Sequence, residues 1–101
     1  MKKVKTRIFD TSEYLTSEED MAAYLEEALV DGEPRLVTEA LGAIAKARGM
    51  AQIAKATGLR RESLYKALSA DGNPEFSTIL KVVKALGIRL HAETFPAAFI
   101  G

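Results

Sequence analysis

A run of polar and charged residues between positions 52 and 66 has the side-chain chemistry needed to contact DNA. An arginine can donate two hydrogen bonds to O6 and N7 of guanine, and a glutamate can accept one from N4 of cytosine. Lysine and glutamine suit phosphate oxygens, which position a protein on the duplex without reading its sequence. We predict DNA contacts from eight residues: Gln52, Lys55, Arg60, Arg61, Glu62, Ser63, Tyr65 and Lys66.

The sequence around position 58 predicts how these side chains are held. Two short helices joined by a tight turn need a residue that tolerates positive φ, a small residue where the helices meet, and apolar residues on both sides. These roles fall to Ile53, Ala54, Gly58, Leu59 and Leu64. Without this pattern, the polar residues would equally fit the solvated face of a surface helix. With it, we predict a helix-turn-helix over about 50–69, whose second helix is the recognition helix.

The sequence offers few residues for a disulfide, a metal site or catalysis. The chain has no cysteine, which excludes a disulfide and a thiolate metal site. His91 is the single histidine, and no acidic or thiol residue lies at ligand spacing from it, so a structural role is the better interpretation. The acidic groups at 18–20 and 26–27 are explained by helix capping and solubility. We predict no catalytic residue, no metal and no cofactor, and therefore not an enzyme.

The hydrophobic pattern predicts an all-α fold with five main helices. The first is expected to begin at Thr16-Ser17 and to end at Asp31-Gly32, and the second lies between Pro34 and Gly49. Three shorter ones are expected over about 51–57, 61–68 and 77–86. Thr16 or Ser17 can cap the first helix, and Gly32, Gly49, Gly58 and Gly87 follow helix ends. Three leucines belong to the apolar faces expected to point inward: Leu29, Leu36 and Leu80.

Two segments outside the helices have the alternation of a strand. Val4–Ile8 alternate weakly, and Ile88–Phe95 alternate more clearly until Pro96, which ends a strand. We therefore expect an N-terminal extension and a short C-terminal strand. The predicted units are an N-terminal extension with an acidic helix (1–33), a DNA-binding domain (34–87) and a C-terminal strand and tail (88–101).

Charge is unevenly distributed, although the formal net charge is zero. Residues 1–9 carry four basic residues and no acidic ones, and residues 10–34 carry nine acidic residues and no basic ones. Residues 35–91 carry ten basic and four acidic residues. The basic part has the charge expected of a surface that faces phosphates. The acidic helix is a candidate surface for a basic protein partner.

No segment of the sequence predicts a membrane location. The basic N-terminus is not followed by an apolar stretch of signal length, and no window approaches the roughly 20 apolar residues of a membrane-spanning helix. We therefore expect a protein of the cytoplasm.

The order of these features resembles a known domain. Residues 35–90 are similar to the lambda-repressor-like (XRE-type) helix-turn-helix domains in the turn at Gly58, the Asn73-Pro74 loop and the helix that ends before Gly87. Many such domains have glutamine where this chain has Met50, and serine where it has Arg60.

A second resemblance covers nearly the whole chain. HigA-like addiction module antidote proteins, the antitoxins of type II toxin–antitoxin modules, are similar in these stretches: FDTSEYL, YLEEAL, LGAIAKARGM, TGLRRESLYKALS and GNPEFSTILKVVKALGIRL. The resemblance implies a protein that binds a RelE/ParE-like toxin and double-stranded operator DNA, and represses the promoter that it shares with the toxin.

Two alternatives to this function remain open from the sequence. One is a stand-alone, phage-type helix-turn-helix repressor, and the other is a protein-interaction module that does not bind DNA. We also expect a homodimer, because one recognition helix reads too few base pairs to find a single genomic site. The edge of the Ile88–Phe95 strand could recruit the second copy, unless Val4–Ile8 of the same chain pairs with it.

Overall fold

The structure, a computed structural model, describes residues 14–95, and all regular secondary structure in this range is helical. The five helices are α1 (Glu18–Asp31), α2 (Pro34–Arg48), α3 (Met50–Thr57), α4 (Arg61–Ala67) and α5 (Phe76–Ala85). The predicted all-α architecture with five helices is confirmed, and every helix boundary lies within one or two residues of the sequence prediction. None of these helices combines the length and apolar character needed to cross a bilayer.

Local capping explains where the first two helices begin and end. The backbone N–H of Asp20 donates a 3.0 Å hydrogen bond to Oγ of Ser17, which satisfies one of the free donors in the first turn of α1. Gly32 ends α1 with a φ of 83°, a conformation that favours glycine. Pro34 occupies the first turn of α2, where its missing N–H costs no helical hydrogen bond. Gly49, with a φ of 109°, separates α2 from α3.

The core is centred on α2, which packs against α1, α3 and α5. Leu41 and Ile44 on α2 are completely buried, as are Leu64 on α4 and Leu86 after α5. Burying a leucine or isoleucine side chain stabilises the fold by about 1.5–3 kcal/mol. The buried residues therefore hold α4 against the rest of the domain as well as holding the longer helices together.

Three leucines expected in the core lie instead at the surface. Leu29 on α1, Leu36 on α2 and Leu80 on α5 are each exposed over more than two-fifths of their surface. Each stands at the margin of an apolar stripe, where the helices packed alongside leave it exposed to solvent. Their exposure leaves apolar surface on the outside of the domain.

The predicted C-terminal strand over Ile88–Phe95 is wrong for this structure, in which 88–95 form neither helix nor strand. Ile88 donates its backbone N–H to the carbonyl oxygen of Val83, which closes the end of α5. Ile88 and Leu90 pack against the core. A strand needs a neighbouring strand to form its ladder, and the described residues contain none. The other predicted strand, Val4–Ile8, lies outside the described residues, as does Pro96.

Candidate nucleic-acid interface

The turn between α3 and α4 is fixed by hydrogen bonds to the last turn of α3. Gly58 has a φ of 79° and donates its N–H to the carbonyl oxygen of Ala54 at 2.9 Å. The N–H of Leu59 donates to the same oxygen at 3.2 Å, as in a Schellman helix end. No atom lies within 4 Å of a Cβ built on Gly58. Glycine is therefore favoured there by the backbone conformation and not by lack of space.

Thr57 adds a side-chain contribution to the turn that the sequence analysis missed. Its hydroxyl donates to the carbonyl oxygen of Ile53 at 2.8 Å, and its Oγ1 accepts from the N–H of Leu59 at 3.3 Å. A threonine directly before a helix-ending glycine could have signalled this role, because its hydroxyl can bond backbone groups nearby. The turn is thus held by both the backbone and a side chain.

Apolar packing fixes the angle between the two short helices. Ile53, Ala54 and Leu64 are buried, and Leu59 is half-buried against the core. Ala54 places a small side chain at a buried position next to the turn. The residues predicted to hold the turn therefore line its inner side, apart from Gly58, which is exposed at its tip.

A close contact with α2 fixes the far end of α4. A Cβ built on Gly42, in the middle of α2, would lie only 2.6 Å from the carbonyl oxygen of Leu68, the residue that ends α4. Leu68 is itself buried. Contact with α2 at Gly42 and the turn at Gly58 together fix both ends of α4.

The eight residues predicted to contact DNA are all exposed on the surface of α3, α4 and the turn between them. We call this surface the basic face, and its members are Gln52, Lys55, Arg60, Arg61, Glu62, Ser63, Tyr65 and Lys66. Leu64 and Leu68 occupy the opposite side of α4, in the core. The eight predicted residues are therefore exposed on the same pair of helices, whose buried residues lie in the core.

The basic face has an excess of positive charge. Lys55, Arg60, Arg61 and Lys66 are cations, Glu62 is the single carboxylate, and no ion pair within 14–95 engages any of the four cations. Because no carboxylate within 14–95 pairs with them, these four exposed cations can bind phosphates without first losing a partner in this part of the chain. Such an arrangement favours contact with a polyanion.

The surface of α1 has the opposite charge and exposed apolar groups. Six carboxylates and no cation lie on α1. Val30 is 81% exposed, and with Ala23, Glu26 and Glu27 it lines a shallow groove on the outside of this helix. We call Glu26, Glu27 and Val30 the acidic face. Because α1 packs chiefly on α2 and α4 chiefly on α3, the acidic and basic faces belong to different parts of the domain.

Two further grooves border α1. One, of about 240 Å³, lies between α1 and α2 and includes Tyr24 and Leu36. The other, of about 460 Å³, lies between α1 and residues 88–95 and includes Leu29. Both are open to solvent and lined by apolar and charged side chains. Such surfaces suit a protein segment better than they suit a small polar substrate.

The titratable side chains within 14–95 do not form a metal site. Within 14–95, no group of three or more His, Asp or Glu side chains could hold a metal ion. His91 is exposed in the segment after α5. Arg48 has a structural role. Its guanidinium donates a 3.1 Å hydrogen bond to the carbonyl oxygen of Leu86 and also lies 3.6 Å from a carboxylate oxygen of Glu18. It ties α2 to the end of α5 and the start of α1.

Comparison with known proteins identifies a matching family and a similar protein. The family described as "Probable addiction module antidote protein" matches residues 5–94. An uncharacterized protein of Haemophilus influenzae is 51% identical over 85 residues, which cover 84% of this chain and 88% of that protein. No solved structure gave a significant match.

Proposed function

The chain belongs to the addiction module antidote family, and from that premise we propose that it is the antitoxin of a type II toxin–antitoxin module. In this proposal it neutralises a RelE/ParE-like toxin and represses the operon that encodes both proteins. The observation that supports DNA binding most strongly is the exposure of all eight predicted contact residues on two short packed helices and the turn between them, with four cations against one carboxylate.

DNA recognition is assigned to α4, as in a lambda-repressor-like helix-turn-helix. The N-terminal part of such a helix meets base edges in the major groove. Arg60 and Arg61 are placed to bond guanine, and Glu62 to accept from cytosine. Lys55 and Lys66 supply phosphate contacts, whose role is to position α4 and not to read sequence. The fixed ends of α4 support this assignment, because base readout needs a helix held in one orientation.

Toxin binding is assigned to the acidic face of α1. Toxins that act on nucleic acid are usually basic, and a carboxylate-rich surface complements them. Exposed Val30 and the neighbouring groove offer apolar contact between Glu26 and Glu27. Apolar anchors surrounded by charges are typical of specific protein interfaces. Separate surfaces would let one molecule bind toxin and DNA together.

The proposal includes a homodimer on DNA. Two recognition helices related by a two-fold axis can read half-sites about one helical turn apart. This arrangement supplies the specificity that one short helix lacks.

Binding to the DNA upstream of the chain's own gene tests this function. A labelled duplex of that region and a shuffled duplex of equal length are titrated with the purified chain, with fluorescence anisotropy as the readout. We expect the native sequence to bind about a thousandfold more tightly or better. Equal affinity for both duplexes would reject the repressor role and leave the protein-interaction alternative.

Capture of the protein encoded beside the gene tests the toxin-binding part. Glu27→Lys combined with Val30→Glu should weaken capture by about tenfold or more, because both the charge and the apolar contact are lost. Glu39→Lys, an exposed charge change on α2 outside the acidic face, is the matched control. Undiminished capture by the double variant would place the toxin on another surface. If the neighbouring gene product does not bind at all, the stand-alone repressor becomes the better function.

A further inference from the structure

The groove between α1 and α2 combines an apolar floor with an acidic edge. We call it the α1–α2 groove, and its lining residues are Tyr24, Glu27, Ala28, Asp31, Leu36 and Ala40. Ala28 and Ala40 are buried at its floor, Tyr24 is half-buried and Leu36 is 42% exposed. Glu27 and Asp31 are exposed to solvent. The groove therefore offers apolar contact directly beside two carboxylates.

These two carboxylates lack a compensating cation in the described part of the chain. Glu27 and Asp31 lie four residues apart on α1, at a spacing where like charges repel each other. Within 14–95, neither forms an ion pair with a basic side chain. Asp31 also lies in the last turn of α1, which contains no basic residue, although the helix dipole favours cations at this end. A cation from another molecule would relieve both unfavourable interactions.

The charge of this groove disfavours two other occupants. A nucleic acid carries negative charge and is repelled by carboxylates. A second copy of the chain that offered its own α1 would bring six carboxylates against the same two. The groove on the other side of α1 differs, because Arg89 and His91 line it together with Glu26 and Glu93. Of the two grooves that border α1, the α1–α2 groove is thus the one that complements a cationic protein.

The position of the groove suits a helix. α1 and α2 pack against each other and are joined by only two residues, Gly32 and Glu33, so the groove lies where the two helices meet. The side chains of a third helix can pack into a groove of this kind. Cations at positions i and i+4 of such a helix are separated by a rise of about 6 Å, the same rise that separates Glu27 from Asp31.

From these observations we propose that the α1–α2 groove receives a cationic amphipathic helix of the toxin. An apolar side chain of that helix enters between Tyr24 and Leu36, and two Lys or Arg side chains one turn apart lie beside Glu27 and Asp31. This inference rests on the proposed antitoxin function and specifies its toxin contact. The contact extends from the acidic face into the α1–α2 groove through Glu27, which belongs to both.

Three leucines of similar exposure provide a matched test. Leu36 lies in the α1–α2 groove, Leu29 in the groove beside 88–95 and Leu80 on α5, and their exposed fractions are 42%, 45% and 45%. The protein encoded beside the gene is immobilised, and its affinity for each full-length variant is measured by biolayer interferometry. Leu36→Lys should weaken binding by about tenfold or more, because it removes an apolar contact and adds a charge of the partner's sign. Leu29→Lys and Leu80→Lys should keep the wild-type affinity.

Asp31→Asn separates a binding role from a structural one. The substitution should raise the thermal midpoint of the free chain, because it removes the repulsion from Glu27 and the unfavourable interaction with the helix dipole. The same substitution should weaken toxin binding by about two- to fivefold and make it less sensitive to salt. Asp71→Asn, at an exposed carboxylate after α4, is the control and should leave toxin binding unchanged.

The outcomes separate this inference from the proposed function. If Leu36→Lys binds as tightly as the wild type while the Glu27→Lys/Val30→Glu variant does not, the toxin contacts the acidic face alone and the groove inference is wrong. Weakening by Leu29→Lys instead would place the toxin in the other groove. A changed mass of free Leu36→Lys in light scattering would show that the groove joins two copies, which also overturns the inference.

The proposed function has its own outcome in the same experiment. If the neighbouring gene product does not bind the wild-type chain, the antitoxin function fails and this inference fails with it. Loss of binding in Leu36→Lys alone among the three leucine variants supports the inference, provided that its affinity for the upstream DNA stays at the wild-type value. Higher stability together with weaker toxin binding in Asp31→Asn supports it independently, whereas a loss of both would indicate a structural role for Asp31.

Discussion

Replacement of Gly42 by alanine sets two physical effects against each other. In an ordinary helix interior, glycine to alanine stabilises by about 1 kcal/mol, because alanine loses less backbone entropy on folding. Here the new Cβ would lie 2.6 Å from the carbonyl oxygen of Leu68. That atom belongs to the backbone and cannot rotate away, so α2 and the end of α4 must separate.

The magnitude follows from the difference between the two effects. Overpacking a well-packed contact costs about 1–3 kcal/mol, against a propensity gain of about 1 kcal/mol. We therefore expect Gly42→Ala to lower the free energy of unfolding by about 1 kcal/mol. Because both ends of α4 are fixed by contacts, the variant should also weaken DNA binding.

Urea denaturation followed by circular dichroism measures this change at fixed protein concentration. The pair Glu39→Gly and Glu39→Ala gives the propensity difference at an exposed site of the same helix, without any new contact. Gly58→Ala is a second control, since nothing lies near its Cβ and its cost of about 1–2 kcal/mol comes from the backbone alone. A Gly42→Ala variant more stable than the wild type would show that α2 does not approach α4 as described.

Three further substitutions test the contacts that position α4 and begin α1. Leu64→Ala should lower the free energy of unfolding by about 2–5 kcal/mol in urea, because a completely buried side chain is lost; Tyr65→Ala, its exposed neighbour, should change it much less. Thr57→Val should cost about 0.5–1.5 kcal/mol through loss of the hydroxyl bond to Ile53, with Thr57→Ser retaining most of the stability. Ser17→Ala should lower the thermal midpoint by removing a cap worth about 1 kcal/mol; an unchanged midpoint would contradict the capping contact.

Helix boundaries were predictable because their causes are local. Gly32 and Gly58 adopt the left-handed conformation that ends a helix, and Ser17 caps the first turn of α1. A few neighbouring residues therefore determine each of these boundaries. The inner side of the α3–α4 turn follows from the spacing of Ala54 and Leu64 for the same reason. These features can be predicted from the sequence because the residues that interact lie within one or two helical turns of each other.

The errors concern properties that depend on distant parts of the chain. Whether Leu36 or Leu80 is buried depends on which helices happen to cover it, and helical periodicity does not carry that information. A strand at Ile88–Phe95 needs a partner, and its own alternation cannot supply one. The contact between Gly42 and Leu68 joins residues far apart in sequence, so only the fold reveals it. For the candidate site, the sequence located the exposed polar residues of α3 and α4 but did not show how α4 is held.

The central claim, that α4 reads operator sequence, is tested most directly by salt-dependent titration of the chain's own upstream DNA. Arg60→Ala and Arg61→Ala should each cost about 1–3 kcal/mol and reduce the preference for the native over the shuffled duplex. Lys66→Ala should weaken both duplexes equally and lower the salt slope by about one, while Lys84→Ala, a cation on α5 outside the basic face, should change neither. Full operator affinity and unchanged preference in both arginine variants would contradict the assignment of α4 as the recognition helix.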